Sequence, residues 1–318
     1  MRGYNSAIMY RVLLVETLEA DAERRLAAGA TVVRAPRGDA ETLRPLIGDC
    51  DALVARTYVR VTRAVLEAGR RLRVVGIAGV GLDHVDLVAA KELGIAVLST
   101  PGAATDAVAD FTLELMLQLL RPVPRLAGEY AGGRFHAARE QPHGREFREL
   151  TIGIVGMGRI GSAVGRRCAA GCGARVRYND IVEVGSFDFP AEPADKATIW
   201  SESDIVTLHV PLTEQTRGLV NAAVLSRLRP GALLINTARG GVVDTAALAT
   251  ALQAGQLAGA ALDVVEPEPL PSGHPLFSCP SCILTPHVAA RTRGGWRRMC
   301  AVVDDVLAYL ERTPPREK

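Results

Sequence analysis

The chain has 318 residues, 48% of them apolar and 23% charged, with 37 basic side chains set against 35 acidic ones. That is an ordinary soluble globular composition with room for roughly two domains at about 150 residues each, and a net charge of +2 offers no basic surface from which to argue for nucleic acid or a membrane. No apolar stretch approaches the roughly 20 residues that span a bilayer, and the segment around Tyr4, Asn5 and Ser6 lacks the apolar core and cleavage signal of a secretory peptide, so the expected location is cytoplasmic.

From Val12 to about Thr100, short apolar runs at 12–15, 52–55, 74–77 and 95–98 alternate with amphipathic helical patterns such as 19–28 and 62–68. Strands alternating with helices over short connections predict a parallel sheet covered on both faces. Pro101 and Gly102 break the pattern. The stretch 105–120 then reads as a long helix with apolar residues at Val108, Phe111, Leu115 and Leu119, and its position suggests a connector between domains. After a glycine-rich and charged stretch at 132–149, a second and clearer alternation from Thr151 to Thr285 predicts one doubly wound domain. The last segment, 296–310, is helical in period but has no strand after it, so it is expected to return to the first domain. The fold class is therefore α/β, with two doubly wound parallel-sheet domains: residues 1–100 with 290–318 form one, and residues 101–289 are inserted as the other.

Six cysteines in a chain of this length do not make a disulfide scaffold. Cys279 and Cys282 form a C-x-x-C, but no second pair of ligands follows at zinc-site spacing, and no metal is expected.

The strongest local signal is Gly156-Met-Gly158-Arg159-Ile160-Gly161, between the predicted strand 151–155 and the helix it opens. The first glycine permits a tight turn, the second lets backbone approach a pyrophosphate, and the third lets helix and strand pack closely. The helix N-terminus adds free amides and a partial positive charge. Asp180 ends the next strand, where a carboxylate accepts hydrogen bonds from adenosine ribose hydroxyls and repels a 2′-phosphate. The expected cofactor is NAD, favoured over NADP. As an alternative, Asp180 is a turn residue that ends its strand.

Three further residues narrow the chemistry. Arg239, Glu268 and His287 each follow the carboxyl end of a predicted strand, which is where doubly wound sheets bind ligands. A guanidinium grips a carboxylate and a carbonyl oxygen, an imidazolium donates a proton to a developing alkoxide, and a carboxylate beside the imidazole favours its charged form. That set suits hydride transfer to a 2-oxo acid.

With His209-Val-Pro-Leu-Thr213, Asn236-Thr-Ala-Arg-Gly-Gly241, Leu262-Asp-Val-Val-Glu-Pro-Glu-Pro269 and Thr285-Pro-His-Val288, the chain resembles the D-isomer-specific 2-hydroxyacid dehydrogenases. The resemblance implies a Rossmann NAD-binding domain inserted into a flavodoxin-like substrate domain. Arg239, Glu268 and His287 would be the catalytic residues, and the activity NAD-dependent reduction of a small 2-oxo acid of the glyoxylate, hydroxypyruvate or 3-phosphohydroxypyruvate class. It adds His209, Val210, Pro211, Thr237, Ala238 and Asp263 to the glycine loop and Asp180 as cofactor contacts, and it places a substrate carboxylate on the backbone amides of Val80 and Gly81, with Arg239. It further implies a member without the regulatory domain that some phosphoglycerate dehydrogenases append, and a homodimer burying the 105–120 region. The rival reading on the same scaffold is a non-enzymatic NAD-binding regulator or corepressor.

Other residues carry plainer expectations. His84 is read as structural, and His136, His143 and His274 as surface residues. Trp296 is read as a packing residue, and Arg56 either faces substrate or lies exposed at a helix start. The Val288-Ala-Ala-Arg291 stretch departs from the family pattern, in which small residues and Ser are common there.

Overall fold

A computed structural model of the protein describes residues 10–140 and 143–315, so the segment read for a targeting signal lies outside the described residues. The chain divides into two compact units, residues 1–104 with 291–318 and residues 105–290.

In the first unit, β1 (Tyr10–Val15), β2 (Ala30–Ala35), β3 (Ala52–Ala55), β4 (Val74–Ile77) and β5 (Ala96–Leu98) form one sheet in the order β2-β1-β3-β4-β5. Every pairing is parallel, and the order is that of a flavodoxin-like sheet whose winding reverses between β1 and β3. Leu13, Val15, Leu53, Val75 and Ile77 face one apolar layer with Leu43, Ile47 and Val65, which come from α2 (Ala40–Ile47) and α3 (Arg63–Ala68). Val12, Leu14, Val54 and Val74 face the other, made by Leu26 of α1 (Ala20–Gly29) and by Val302, Val303, Val306 and Leu310 of the C-terminal helix Val302–Arg312. A fourth helix, α4 (Leu87–Glu92), precedes β5. The hydrophobic pattern does not reveal β2 or α2, because α1 ends at Gly29 and β2 begins at Ala30 with no turn residues between them. Asp39 starts α2 by accepting from the Thr42 amide at 2.9 Å.

In the second unit seven parallel strands, β6 (Thr151–Val155), β7 (Arg175–Asn179), β8 (Glu192–Pro193), β9 (Ile205–Leu208), β10 (Leu233–Asn236), β11 (Gly259–Leu262) and β12 (Cys282–Leu284), run in the order β12-β11-β10-β9-β6-β7-β8. Outward from β6 the chain builds β7 and β8 on one side and β9 to β12 on the other, so a switch point lies between β6 and β9. All five residues of β6 are buried, as a central parallel strand requires.

The helix α5 (Thr105–Leu120) is more than the connector expected of it. Leu115, Met116 and Leu120 pack with Ile152, Ile154 and Ile235 in the core of the second unit. By contrast α6 (Val123–Ala131) and α7 (Phe135–Arg139) have no buried residue. The helix that the glycine loop opens is α8 (Arg159–Arg166) followed by a π-helical turn, Arg167–Gly171, whose widened bonding includes Cys172 N to Arg167 O at 3.1 Å. The unit is completed by α9 (Lys196–Glu202), α10 (Ala222–Leu225) and α11 (Thr245–Gln253), with Asp195, Asn221 and Asp244 as their N-caps. Among the described residues no helix is long and apolar enough to cross a membrane, and no group of three His, Cys, Asp or Glu is placed to hold a metal. Burial, with Cys279 beside it, pushes the Cys282 thiol up to about 12, which leaves it an unreactive thiol.

Candidate active site

The glycine loop leaves β6 at Gly156, whose φ of +92° lies in the region that favours glycine. A Cβ on Gly156 would stand 2.6 Å from the His209 carbonyl oxygen, and one on Gly161 would stand 2.0 Å from the Gly156 oxygen, so only hydrogen fits at either place. A Cβ on Gly158 would meet nothing within 4 Å. Two glycines thus close the turn onto β9 and onto α8, and the third leaves open space where Arg159 and Ile160 begin the helix. Asp180, after β7, accepts from the Met157 amide at 2.6 Å through one oxygen and from the Ile181 and Val182 amides at 2.7 and 3.3 Å through the other. Its carboxylate therefore stands at the glycine loop and also closes its own turn.

His209 follows β9. Its Nε2 lies 2.9 Å from the Thr207 hydroxyl oxygen, its Nδ1 is buried with no hydrogen-bond partner, and burial pushes the imidazole down to about 3, so the ring is neutral at physiological pH. Val210 packs over Gly156, and the carbonyl of exposed Pro211 accepts from the Thr216 hydroxyl at 2.6 Å. The loop, Asp180, His209 and Val210 thus gather at the carboxyl ends of β6, β7 and β9, beside the switch point. The open backbone over Gly158 and the start of α8 fit a pyrophosphate.

The Asn236 side chain braces the turn after β10. Its Oδ1 accepts from the Ala238 amide at 3.0 Å and its Nδ2 donates to the Arg239 carbonyl at 2.9 Å. Thr112, from α5, donates its hydroxyl to the Val108 carbonyl at 2.7 Å, so the 2.9 Å contact with Thr237 uses the Thr237 proton. Sequence reasoning does not find Thr112, since its partner is 125 positions away. Arg239 donates through Nη1 to the Ala238 carbonyl at 2.7 Å. A Cβ on the next residue, Gly240, would stand 2.0 Å from the Val265 carbonyl, so glycine there lets the Arg239 turn lie against the loop that carries Glu268.

Glu268 Oε2 is 3.0 Å from His287 Nδ1, and Glu268 Oε1 accepts from the Val265 amide at 3.3 Å. Burial pushes the Glu268 carboxyl up, but the hydrogen bond and charge of His287, the Val265 amide and Arg239 outweigh it and hold it below its ordinary value. His287 has a φ of +53°, a left-handed conformation that costs a non-glycine residue about 1–3 kcal/mol. Asp263 helps to hold it there. This residue is only 1% exposed, and it accepts from the Thr285 hydroxyl at 2.6 Å, the Val288 amide at 2.9 Å and the Ala289 amide at 2.9 Å, while its own carbonyl accepts from the His287 amide at 2.9 Å. Expected as a cofactor contact, Asp263 has its carboxylate committed to the turn that presents His287.

In the first unit, Val80 and Gly81 follow β4. The Gly79 carbonyl accepts from the Thr100 amide and hydroxyl at 3.0 and 3.2 Å, and among the described residues no acceptor takes up the Val80 and Gly81 amides. Arg56 is not the exposed helix-start residue of one expectation, for it is 9% exposed with its guanidinium 4.3 Å from the Trp296 ring centroid. The His84 carbonyl accepts from the Val61 amide at 2.9 Å. His136 is exposed, and half-buried His143 lies 2.5 Å from the Ala138 carbonyl. His274, expected at the surface, is partly buried. Its Nδ1 accepts from the Leu276 amide at 3.3 Å and its Nε2 lies 3.2 Å from the Thr245 hydroxyl, which ties a short 3-10 turn to α11.

A doubly wound second unit with a glycine loop at its switch point, and an Arg, Glu and His after later strands of the same sheet, define a nucleotide-dependent α/β enzyme. The family model of the D-isomer-specific 2-hydroxyacid dehydrogenase NAD-binding domain matches residues 113–289, more than half of the chain. A hydroxypyruvate reductase from Thermotoga maritima is 35% identical over 294 residues, covering 91% of this chain and 94% of that protein. A glyoxylate reductase from Thermofilum pendens is 40% identical over 282 residues, covering 86% of this chain and 83% of its own length. The crystal structure of the TT0316 protein from Thermus thermophilus superposes with a TM-score of 0.88 at 39% identity, over 96% of this chain and 99% of that one. The chain spans about half the length of phosphoglycerate dehydrogenases that it also matches. The chain belongs to the D-isomer-specific 2-hydroxyacid dehydrogenases, and it is an oxidoreductase with an NAD-binding domain.

Proposed function

We propose that the protein reduces a small 2-oxo acid to the D-2-hydroxy acid, with Arg239, Glu268 and His287 as its catalytic residues. The observation that carries this reading is the 3.0 Å pair of His287 Nδ1 and Glu268 Oε2, with the Arg239 turn packed against the Glu268 loop through Gly240. NADH, when bound, supplies the hydride. The residues that would hold it are the Gly156–Gly161 loop for the pyrophosphate and Asp180 for the adenosine ribose, with His209, Val210, Pro211, Thr237 and Ala238 lining the site. Arg239 orients the oxo acid by gripping its carboxylate and carbonyl oxygens. With Nδ1 held by ionised Glu268, His287 delivers its proton to the carbonyl oxygen from Nε2. The amides of Val80 and Gly81, which no acceptor takes up among the described residues, suit a substrate carboxylate. NADH oxidation followed at 340 nm with glyoxylate, hydroxypyruvate, pyruvate and 3-phosphohydroxypyruvate tests the reading, and a non-enzymatic NAD-binding protein would leave the absorbance unchanged with all four.

Asp180 sets the choice of cofactor. Removing its charge by Asp180→Ala is expected to lower the ratio of kcat/KM for NADH over NADPH by about tenfold or more, the equivalent of about 1.4 kcal/mol. NADPH affinity measured by nucleotide fluorescence should rise in parallel. An unchanged ratio would leave Asp180 with only the turn that it caps.

The protein is further proposed to be a homodimer. Most of the apolar surface of α5 is spent inside its own unit, so the interface moves to the segment after it, where Val123, Tyr130 and Phe135 are 59%, 68% and 40% exposed. A helix pair with no buried residue of its own is unstable in water unless something covers it. Light scattering at micromolar concentration should give twice the monomer mass, and Tyr130→Glu with Phe135→Glu should halve it. A monomeric wild type refutes the assembly.

A further inference from the structure

The loop that carries Glu268 runs between two buried anchors, Val264 and Leu270, which are 2% and 8% exposed. Residues 266–269 between them are exposed, and among the described residues none from 264 to 270 takes part in a backbone–backbone hydrogen bond. Pro267 and Pro269 have no amide to donate. The placement of Glu268 is thus left to side chains. Besides the Glu268 contacts with His287 and the Val265 amide, a further tie reaches the loop: Arg217 donates through Nη1 to Glu266 Oε2 at 2.5 Å.

Arg217 stands on a well-bonded base. Its amide donates to the Thr213 carbonyl at 2.9 Å, and the Thr216 hydroxyl donates to the Pro211 carbonyl at 2.6 Å. The same segment is bonded along the turn that follows Arg239. The Gly218 amide donates to the Gly241 carbonyl at 2.8 Å, the Val220 amide to the Val242 carbonyl at 3.0 Å, and the Asp244 amide to the Val220 carbonyl at 2.9 Å. The ion pair lies over Gly241, where a Cβ would stand 2.5 Å from Glu266 Oε2 and 3.0 Å from Arg217 Nη1. Glycine at 241 therefore leaves room for the two charges to meet. One partner belongs to a segment laced to the Arg239 turn, and the other sits two residues before Glu268.

We infer that Arg217 and Glu266 are positioning residues, whose ion pair holds the loop so that Glu268 meets His287. Their effect on turnover rests on the reaction proposed above; their hold on the loop does not.

The two side chains are 57% and 47% exposed, so the pair is screened by salt and its effect is modest. Arg217→Gln and Glu266→Gln should each lower kcat for oxo-acid reduction about three- to fivefold, with KM little changed because Arg239 grips the substrate from another turn. Reversing both charges, Arg217→Glu with Glu266→Arg, should recover most of the loss. Raising NaCl from about 0.05 to 0.5 M should bring wild type toward the single variants and leave those variants level. In a Glu268→Gln background Arg217→Gln should have no further effect on kcat, because it acts through Glu268.

Methyl relaxation of labelled valines reads the loop without turnover. The order parameter of Val265 should fall in Arg217→Gln and recover in the charge-reversed pair, while that of buried Val264 stays constant. If wild type reduces no oxo acid and Val265 still responds in this way, the reaction falls and the tie stands. In an active enzyme, an unchanged kcat in Arg217→Gln, or a loss that multiplies with that of Glu268→Gln, overturns the inference. An unchanged Val265 overturns it whether or not the enzyme is active.

Discussion

Replacing His287 with Asn is expected to lower kcat for oxo-acid reduction by about 10²–10⁴-fold, the usual contribution of a positioned general acid. Asn keeps a polar side chain on the strained turn at φ +53° and tolerates that conformation, so a loss of this size would report the missing proton rather than a collapsed loop. Glu268→Gln is the companion variant. Part of what holds the Glu268 carboxyl below its ordinary value is its hydrogen bond to His287 and the charge of that ring. The same contact gives the His287 Nδ1 a carboxylate partner 3.0 Å away. The sign follows from the direction of that shift. Glu268 is ionised across the neutral range, and that carboxylate partner is lost only as pH falls through its own lowered value. Reduction, which needs imidazolium, is lost as pH rises. Without the carboxylate, the basic limb of the kcat/KM profile should move to lower pH. A limb that stays in place, with near wild-type rates on every oxo acid tested, would sever Glu268 from His287.

Arg239→Lys should cost on the order of 3 kcal/mol in kcat/KM, or about a hundredfold, and leave the pH limb where it was. Lysine keeps the charge but loses the planar pair of donors that matches a carboxylate beside a carbonyl. The turn itself should survive, because the Asn236 side chain braces it through the Ala238 amide and the Arg239 carbonyl, and neither contact involves the substituted side chain. A rate within a few fold of wild type would show that the guanidinium fork does not grip substrate.

Most of the α/β alternation is legible because buried parallel strands are short and mostly apolar. β3, β4, β6, β9, β10 and β11 are buried at every position; β3 and β4 coincide with the apolar runs 52–55 and 74–77, β6 with the predicted strand 151–155, and the others lie within the predicted alternation from Thr151 to Thr285. β2 escapes because no turn separates it from α1, and β8, two residues including a proline, carries no strand pattern. Within the site, Arg239, Glu268 and His287 stand out as polar residues just past strand ends. The Asp263 clamp does not, because an aspartate that orders a turn 22–26 positions away has the same local sequence as one that faces a ligand.

What the sequence alone determines here is whatever local chemistry or repeated spacing can encode: the α/β class, the glycine loop with its acidic partner, and the family, through motifs that hold their order along the chain. What only tertiary structure decided is which of those groups meet. The Glu268–His287 distance, the closeness of Gly240 to Val265, and the Thr112–Thr237 contact across 125 positions depend on where strands sit in a sheet rather than where they sit in the chain. The same holds for the stacking of Arg56 and Arg291 on one indole, since Arg56 ends a strand near the start of the chain and Trp296 lies on a helix near its end. A parallel sheet brings the carboxyl ends of strands together whatever their separation in sequence, and side-chain contacts made at those ends leave no local trace.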